Sequence, residues 1–235
     1  MFKLPFRRVG KLLPEKLALI DTAARLKGFE SIADLGGVWG VEGGYLFHAL
    51  DRYPLKRAVM IDTHPTPTFL AKAAKYPQLE VIKGNFGDPA ISARAGAVDA
   101  VLFFDVLLHQ VRPNWDEVLA MYAQARCLII YNQQWTGPGD VVRLFDLGEA
   151  EYFRNVPHKR SHPAYNDLFR KLDQPHPDHN GRLWRDVHHV WQWGISDAAL
   201  EAKATALGYR LEFKKNYGRF GRLPQFENHG FVFVK

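Results

Sequence analysis

In Ser31-Ile-Ala-Asp-Leu-Gly-Gly-Val-Trp-Gly40 a short apolar run ends in an acid, Asp34, and opens into a turn carrying Gly36, Gly37 and Gly40. Glycine lacks the Cβ that would hold a ligand off, so such a turn lets a bound molecule lie against bare backbone. A second acid, Asp62, closes the strand-like run Ala58-Val-Met-Ile61, 22 residues after Gly40. An acid after the second strand of a strand–turn–helix unit accepts hydrogen bonds from ribose hydroxyls. The pairing points to a nucleoside-containing cofactor. Asp105 and His109, at the end of the run Val98–Phe104 and just beyond it, flank the same crevice with a carboxylate and an imidazole. An imidazole titrates near about pH 6.5, which makes His109 the first candidate for a base. The alternative for His109 is a residue that only caps or packs.

The spacing of the glycines bears on which cofactor is expected. A pyrophosphate needs Gly-x-Gly-x-x-Gly so that several N–H groups converge on it at a helix start. Here Gly36 is followed by Gly37, Gly40 and then Gly43-Gly44, which does not supply that pattern. A nicotinamide dinucleotide is therefore disfavoured against a nucleoside without phosphate.

The elements around these residues alternate. Strands are expected at 31–35, 57–61, 79–83, 98–104 and 126–132, and helices at about 43–52, 66–76, 88–94 and 113–125. Asn114 with Glu117 three residues on has the form of a capping box. A lead-in helix within residues 1–28 starts near Pro14, with Leu13, Leu17, Ile20 and Ala24 at helical spacing. Alternating buried strands and helices build a doubly wound, mostly parallel α/β sheet, with a crevice where strand order reverses. Residues 135–192 break the rhythm and hold six of the ten histidines, at 158, 162, 176, 179, 188 and 189. Order returns with Ser196 capping a helix to Leu207, a strand at Tyr209–Phe213 and a last strand at His229–Val234. The chain reads as one domain, 1–235, with 135–192 inserted as a cap.

Composition bounds the partners. The 235 residues are 47% hydrophobic, enough for a large core, and no apolar run approaches the roughly 20 residues that span a bilayer. Met1-Phe-Lys-Leu-Pro-Phe-Arg-Arg8 lacks the apolar stretch of a secretory signal, so the expected setting is the cytoplasm. A single cysteine, Cys127, allows neither an internal disulfide nor a cysteine-built zinc site. The histidines show no helix-borne metal pair, and no metal is assigned. The net charge of +6 lies at the ends, where residues 1–27 carry seven Lys/Arg against two acids and 208–235 six against two. The middle is net negative and presents no basic stripe for nucleic acid.

These motifs, in this order, resemble the class I S-adenosylmethionine-dependent methyltransferases over nearly the whole chain. The resemblance rests on Asp34-Leu-Gly-Gly-Val-Trp-Gly40, Asp62, Lys83-Gly-Asn-Phe-Gly-Asp88, Val98–His109 and the closing helix, strand and hairpin strand. Val38 departs from the family's usual middle glycine, and Asn85 from its common acid.

The resemblance implies a seven-stranded sheet of order 3-2-1-4-5-7-6, its last strand antiparallel. It implies S-adenosyl-L-methionine as cofactor and S-adenosyl-L-homocysteine as product. Asp34, Gly36, Gly37 and Gly40 would meet the methionine end, Asp62 and Thr63 the ribose, and Asn85 and Phe86 the adenine. Trp39 would cover the cofactor, Asp105 would border it, and Asp105 with His109 would serve catalysis. A tight turn, a surface acid and a core phenylalanine are the plainer alternatives for Gly36, Asp62 and Phe86.

The expected reaction is methylation of a small molecule at oxygen, by in-line displacement. The expected acceptor is anionic or aromatic. Tyr152, Phe153, Tyr165, Phe169, Trp184, Trp191 and Trp193 would shape an apolar lid, and Arg143, Arg154, Arg160 and Arg185 would recognise an anion. Trp191 and Trp193 have a core position as their alternative. Nucleic acid is not the expected acceptor, because no Asn/Asp-Pro-Pro-Tyr segment follows the fourth strand and no Pro-Cys nucleophile appears. RNA methylation by another architecture and a non-catalytic scaffold are the alternatives. No oligomeric state is assigned.

Overall fold

Strands with every residue buried need cover on both faces, and a parallel sheet with helices on each side supplies it. A computed structural model describes residues 10–165, 167–178, 181–188 and 190–235. In chain order it runs α1 (Pro14–Leu26), β1 (Ser31–Leu35), α2 (Gly44–Arg52), β2 (Arg57–Asp62), α3 (Pro67–Ala73), β3 (Leu79–Lys83), α4 (Pro89–Ala95) and β4 (Ala100–Phe104). There follow α5 (Trp115–Met121), β5 (Cys127–Trp135), β6 (Val141–Arg143), α6 (Glu149–Arg154), α7 (Leu168–Lys171), β7 (Trp193–Ile195), α8 (Asp197–Ala206), β8 (Arg210–Arg219) and β9 (Phe226–Val234).

The main sheet has seven strands in the order β3-β2-β1-β4-β5-β9-β8. The first five are parallel and β9 runs antiparallel between β5 and β8. Counted within the sheet alone this is the expected 3-2-1-4-5-7-6. Alternate residues of each strand feed two cores. Ala100, Leu102 and Phe104 of β4 join the layer under α1 and α2, whereas Val101 and Phe103 join the layer under α5 and α8.

Element ends differ from expectation where tertiary pairing decides them. β5 runs to Trp135 instead of residue 132, because β9 pairs with it from Cys127↔Val234 to Trp135↔Phe226. The same partnership starts β9 at Phe226, and its hairpin carries β8 on to Arg219. Gly43, at φ +71°, stands outside α2 as its left-handed cap. The capping box forms at α5, with the Asn114 N–H donating to Glu117 Oε2 at 2.7 Å.

On α1 the buried residues are Lys16, Leu19, Ile20 and Ala23. That face is rotated from the expected Leu13, Leu17, Ile20 and Ala24, and it puts a lysine inside. Helix and sheet touch closely here: a Cβ on Gly230 of β9 would meet Leu19 at 2.6 Å. The Met1–Arg8 segment, His179 and His189 lie outside the described residues.

Residues 135–195 contribute a second, small sheet of β6 and β7, and a third core gathers there with Leu108, Leu223 and Phe226. Tyr152, Tyr165 and Trp191 are buried there with Trp135, Phe145 and Phe226, and Phe153, Phe169 and Trp184 pack around them. The aromatic residues expected to shape an apolar lid mostly pack against one another. Trp193 packs against the main core, and its indole N–H donates to the Gln110 carbonyl at 2.6 Å. No helix among the described residues is long and apolar enough to cross a membrane.

The amino ends of β1, β4 and β5 are tied by one carboxylate. Asp99 accepts from the Glu30 N–H at 2.9 Å and from the Ser31 N–H and hydroxyl at 3.0 Å, and it pairs with Arg126 at 2.8 Å. Burial works against its charge, but these donors win and hold its pKa below the ordinary value. Asp99→Ala should cost about 1–3 kcal/mol at pH 7, the usual cost of orphaning such donors. A lowered pKa means that this contribution is complete above the unfolded value of about 3.9 and is lost as pH falls through the folded value. Urea denaturation at pH 7 and at pH 3 checks this, and a penalty of the same size at both would refute it.

Candidate active site

The candidate site lies at the carboxyl ends of β1 and β4, two parallel neighbours at the centre of the sheet. Its first wall is the glycine turn. Gly36 takes φ +73° and donates its N–H to the Ile61 carbonyl at 2.7 Å, which fastens the turn to β2. Gly40 takes φ +79°, and a Cβ there would meet nothing within 4 Å. Gly37 leaves no such room, since a Cβ on it would overlap the Asp34 carboxyl. Val38, in the place of the middle glycine, turns its side chain into the core at 1% exposure. The departure therefore does not fill the crevice.

Asp62 stands at the end of β2 and grips this turn. Its Oδ2 accepts the Val38 N–H at 3.1 Å and its Oδ1 accepts the His64 N–H at 2.8 Å. A carboxylate has about four lone-pair sites, so acceptor capacity is left on both oxygens. Asp34 is buried at the end of β1, and its Oδ2 has no hydrogen-bond partner among the described residues. Burial first, and then the negative charge of Asp62, push its pKa up to about 7, with Lys16 opposing.

Across the crevice Asp105 follows β4 in the left-handed region, at φ +57°. Its N–H is held by the Tyr131 carbonyl at 2.8 Å, and its Oδ1 accepts from Gln133 Nε2 at 2.8 Å. Lys16 Nζ, on α1, closes an ion pair with its other oxygen. The ammonium lies 5.3, 5.5 and 4.8 Å from the ring centroids of Tyr45, Phe104 and Tyr131. His109 sits one turn beyond, in a short 3-10 turn over Leu107–His109. Its Nδ1 is 2.8 Å from the Val190 carbonyl, and a carbonyl only accepts, so Nδ1 carries the proton and Nε2 keeps a lone pair. Burial holds its pKa below the ordinary imidazole value, against the pull of the Val190 bond and of Asp105.

The expected adenine side is more occupied. Asn85 Oδ1 accepts the Gly87 N–H at 2.9 Å, and its amide nitrogen meets His188 Nε2 at 3.2 Å. Arg182 reaches the same His188 nitrogen at 2.7 Å. Beside them lies a cavity of about 290 Å³ lined by Asn85, Gly87, Asp88, Arg112, Pro113 and Arg182. Phe86 is buried in the core, its ring edge 3.6 Å from where a Gly36 Cβ would be. Thr63 is exposed, and Trp39 is 72% exposed at the tip of the turn.

The four arginines expected to recognise an anion are each paired inside the insert. Arg143 meets Asp186, Arg154 meets Glu151, Arg160 meets Glu149, and Arg185 meets Asp146 and Asp173. The rings of His158 and His162 lie 4.5 Å apart, but no group of three or more potential ligands gathers for a metal among the described residues.

Lys16, Tyr45, Tyr131 and Gln133 were not anticipated at the crevice. Lys16 had a signal, because Lys16, Leu19, Ile20 and Ala23 are themselves spaced i, i+3, i+4 and i+7. Tyr131 and Gln133 had none, since alternate residues of a fully buried strand look alike.

A group that carries positive charge and leaves backbone exposed fits this donor set. An orphaned buried oxygen on Asp34 and open space over Gly40 favour it, whereas the ring cage of Tyr45, Phe104 and Tyr131 is already filled by the Lys16 ammonium. The seven-stranded order with one antiparallel strand, and a glycine turn clamped to the acid of β2, decide the fold. It is the class I methyltransferase fold.

Solved structures agree in this. The N-terminal domain of EvdMO1, crystallised with SAH and D-fucose, matches with TM-score 0.58 at 15% identity, over 99% of this chain and 89% of that one. The 1,6-didemethyltoxoflavin-N1-methyltransferase of Burkholderia thailandensis, bound to its acceptor and S-adenosylhomocysteine, matches with TM-score 0.58 at 13% identity, over 94% and 78%. Coclaurine N-methyltransferase, bound to N-methylheliamine and SAH, matches with TM-score 0.58 at 9% identity, over 100% and 74%. No family model and no curated protein sequence matches the chain.

Asp34 supplies a test in the ligand-free protein. Its raised pKa means that the folded state holds the proton more tightly than the unfolded one. Its contribution to stability therefore falls as pH rises from about 4 to about 7. Asp34→Asn removes the charge and should melt above the wild type at pH 8, with the advantage gone at pH 5. A difference in Tm that does not change with pH would contradict the burial of this charge.

Proposed function

We propose that the chain is an S-adenosyl-L-methionine-dependent methyltransferase that acts on a small molecule, with a hydroxyl oxygen as the acceptor. The observation that carries the reading is the clamp between the glycine turn and Asp62, beside the buried Asp34 oxygen that no described residue partners. The cofactor supplies a methyl group already activated on a positively charged sulfur. The protein's work is then to align the acceptor, exclude water and manage one proton.

In this reading Gly36, Gly37 and Gly40 bare the backbone to the methionine end, and Asp34 faces its amino group. Asp62 receives the ribose hydroxyls on its spare lone pairs, with Thr63 beside it. The second lone pair of Asn85 Oδ1 takes the adenine amino group, and Phe86 backs the turn from beneath. Asp105 borders the reacting end. His109 Nε2 accepts the acceptor's proton while the Val190 carbonyl holds Nδ1–H and so fixes the tautomer.

A base is needed for a hydroxyl and not for a neutral amine, and a desolvated, neutral His109 supports the oxygen reading. Two of the similar structures belong to N-methyltransferases, so an amine acceptor is the second reading. Of the expected acceptor chemistries the aromatic one fits better, because the four arginines expected to recognise an anion already have carboxylate partners. Residues 135–192 serve in this reading as the cap over the acceptor.

Calorimetric titration with S-adenosylmethionine and S-adenosylhomocysteine should give saturable heat with both. No heat from either at millimolar concentration would sink the proposal. His109→Gln should leave both affinities within about twofold, yet lower turnover of a phenolic acceptor by about 10²–10⁴. Full turnover by that variant would leave an amine acceptor, or catalysis by alignment alone, as the better account.

A further inference from the structure

Lys16 is the group that the proposed reaction does not use. Its ammonium is buried, encircled by Tyr45, Phe104 and Tyr131, paired with Asp105 and close enough to Asp34 to bias that acid's charge. Glu15 also faces the cage, 3.5 Å from the Tyr131 hydroxyl. A buried lysine among carboxylates balances charge that the low-dielectric interior cannot leave bare. A ring cage of this kind is itself a receptor for cations.

We propose that Lys16 is a resident counter-cation that weakens the crevice's preference for the positively charged cofactor over its neutral product. The proposal rests on the methyltransferase reading. S-adenosylmethionine brings a sulfonium, and S-adenosylhomocysteine differs from it by lacking that methyl and its charge. A cationic ligand group approaching Asp34 and Asp105 has to share both carboxylates with Lys16. The neutral thioether makes no such demand, and once the methyl has left, Lys16 remains to balance the acids.

The test is calorimetric, on the full chain at low ionic strength, with both ligands titrated into the wild type, Lys16→Met and Lys16→Arg. Two unit charges several ångströms apart, at the effective dielectric of about 20 that describes buried sites too, interact strongly enough to move a binding constant by roughly tenfold. In Lys16→Met the ratio of the product's Kd to the cofactor's Kd should therefore rise by about tenfold. Lys16→Arg should hold the wild-type ratio. Lys16→Gln, which keeps an N–H donor for Asp105 without the charge, serves if the methionine variant does not fold. A lysine that only props up α1 would weaken both ligands alike, so a ratio within twofold of wild type overturns the inference while leaving the methyltransferase reading intact. Failure of the wild type to bind either ligand overturns both.

Discussion

Negative charge has to be held where the parallel strands end, and much of the crevice follows from that constraint. Asp34, Asp62 and Asp105 close β1, β2 and β4, three strands that lie side by side. Water is largely excluded from the first two, so each carboxylate needs a donor, a cation or a proton. The three acids use three different remedies. Asp62 takes backbone N–H groups from the glycine turn and from His64. Asp105 takes Lys16 and Gln133. Asp34 has no donor on its Oδ2 and only the field of Lys16, so burial and the charge of Asp62 push its pKa up to about 7.

The backbone serves the same constraint. The turn after β1 bends tightly enough to present the Val38 N–H to Asp62 only because Gly36 and Gly40 adopt positive φ. Asp105 adopts a positive φ without being glycine, a strained placement that its bonds to Tyr131, Gln133 and Lys16 hold in place. On the other side of the crevice the insert supplies little charge. It pairs Arg143, Arg154, Arg160 and Arg185 with its own acids, packs its aromatic residues with Phe226, and meets His109 through the Val190 carbonyl. That contact sets a tautomer and an orientation, which suits a reaction that needs alignment more than strong acid–base chemistry.

The sheet is legible in the chain alone, because short apolar runs, glycine turns and helix caps are local signals that survive without knowledge of the partner. Ser31–Leu35, Leu79–Lys83 and the cap at Ser196 follow from such signals. The positions of Asp34, Asp62, Asp105 and His109 at strand ends follow from them too. What those side chains touch was decided only in three dimensions. Trp135 becomes a strand residue because Phe226, 91 positions later, pairs with it. Lys16 reaches Asp105 across 89 residues of chain, and Asn85 reaches His188 across 103. In residues 135–192 the periodicity is absent because the stretch folds around aromatic contacts between short turns instead of along one face of a long element. Charge pairing and ring packing depend on distance in space, and a single sequence records distance only along the chain.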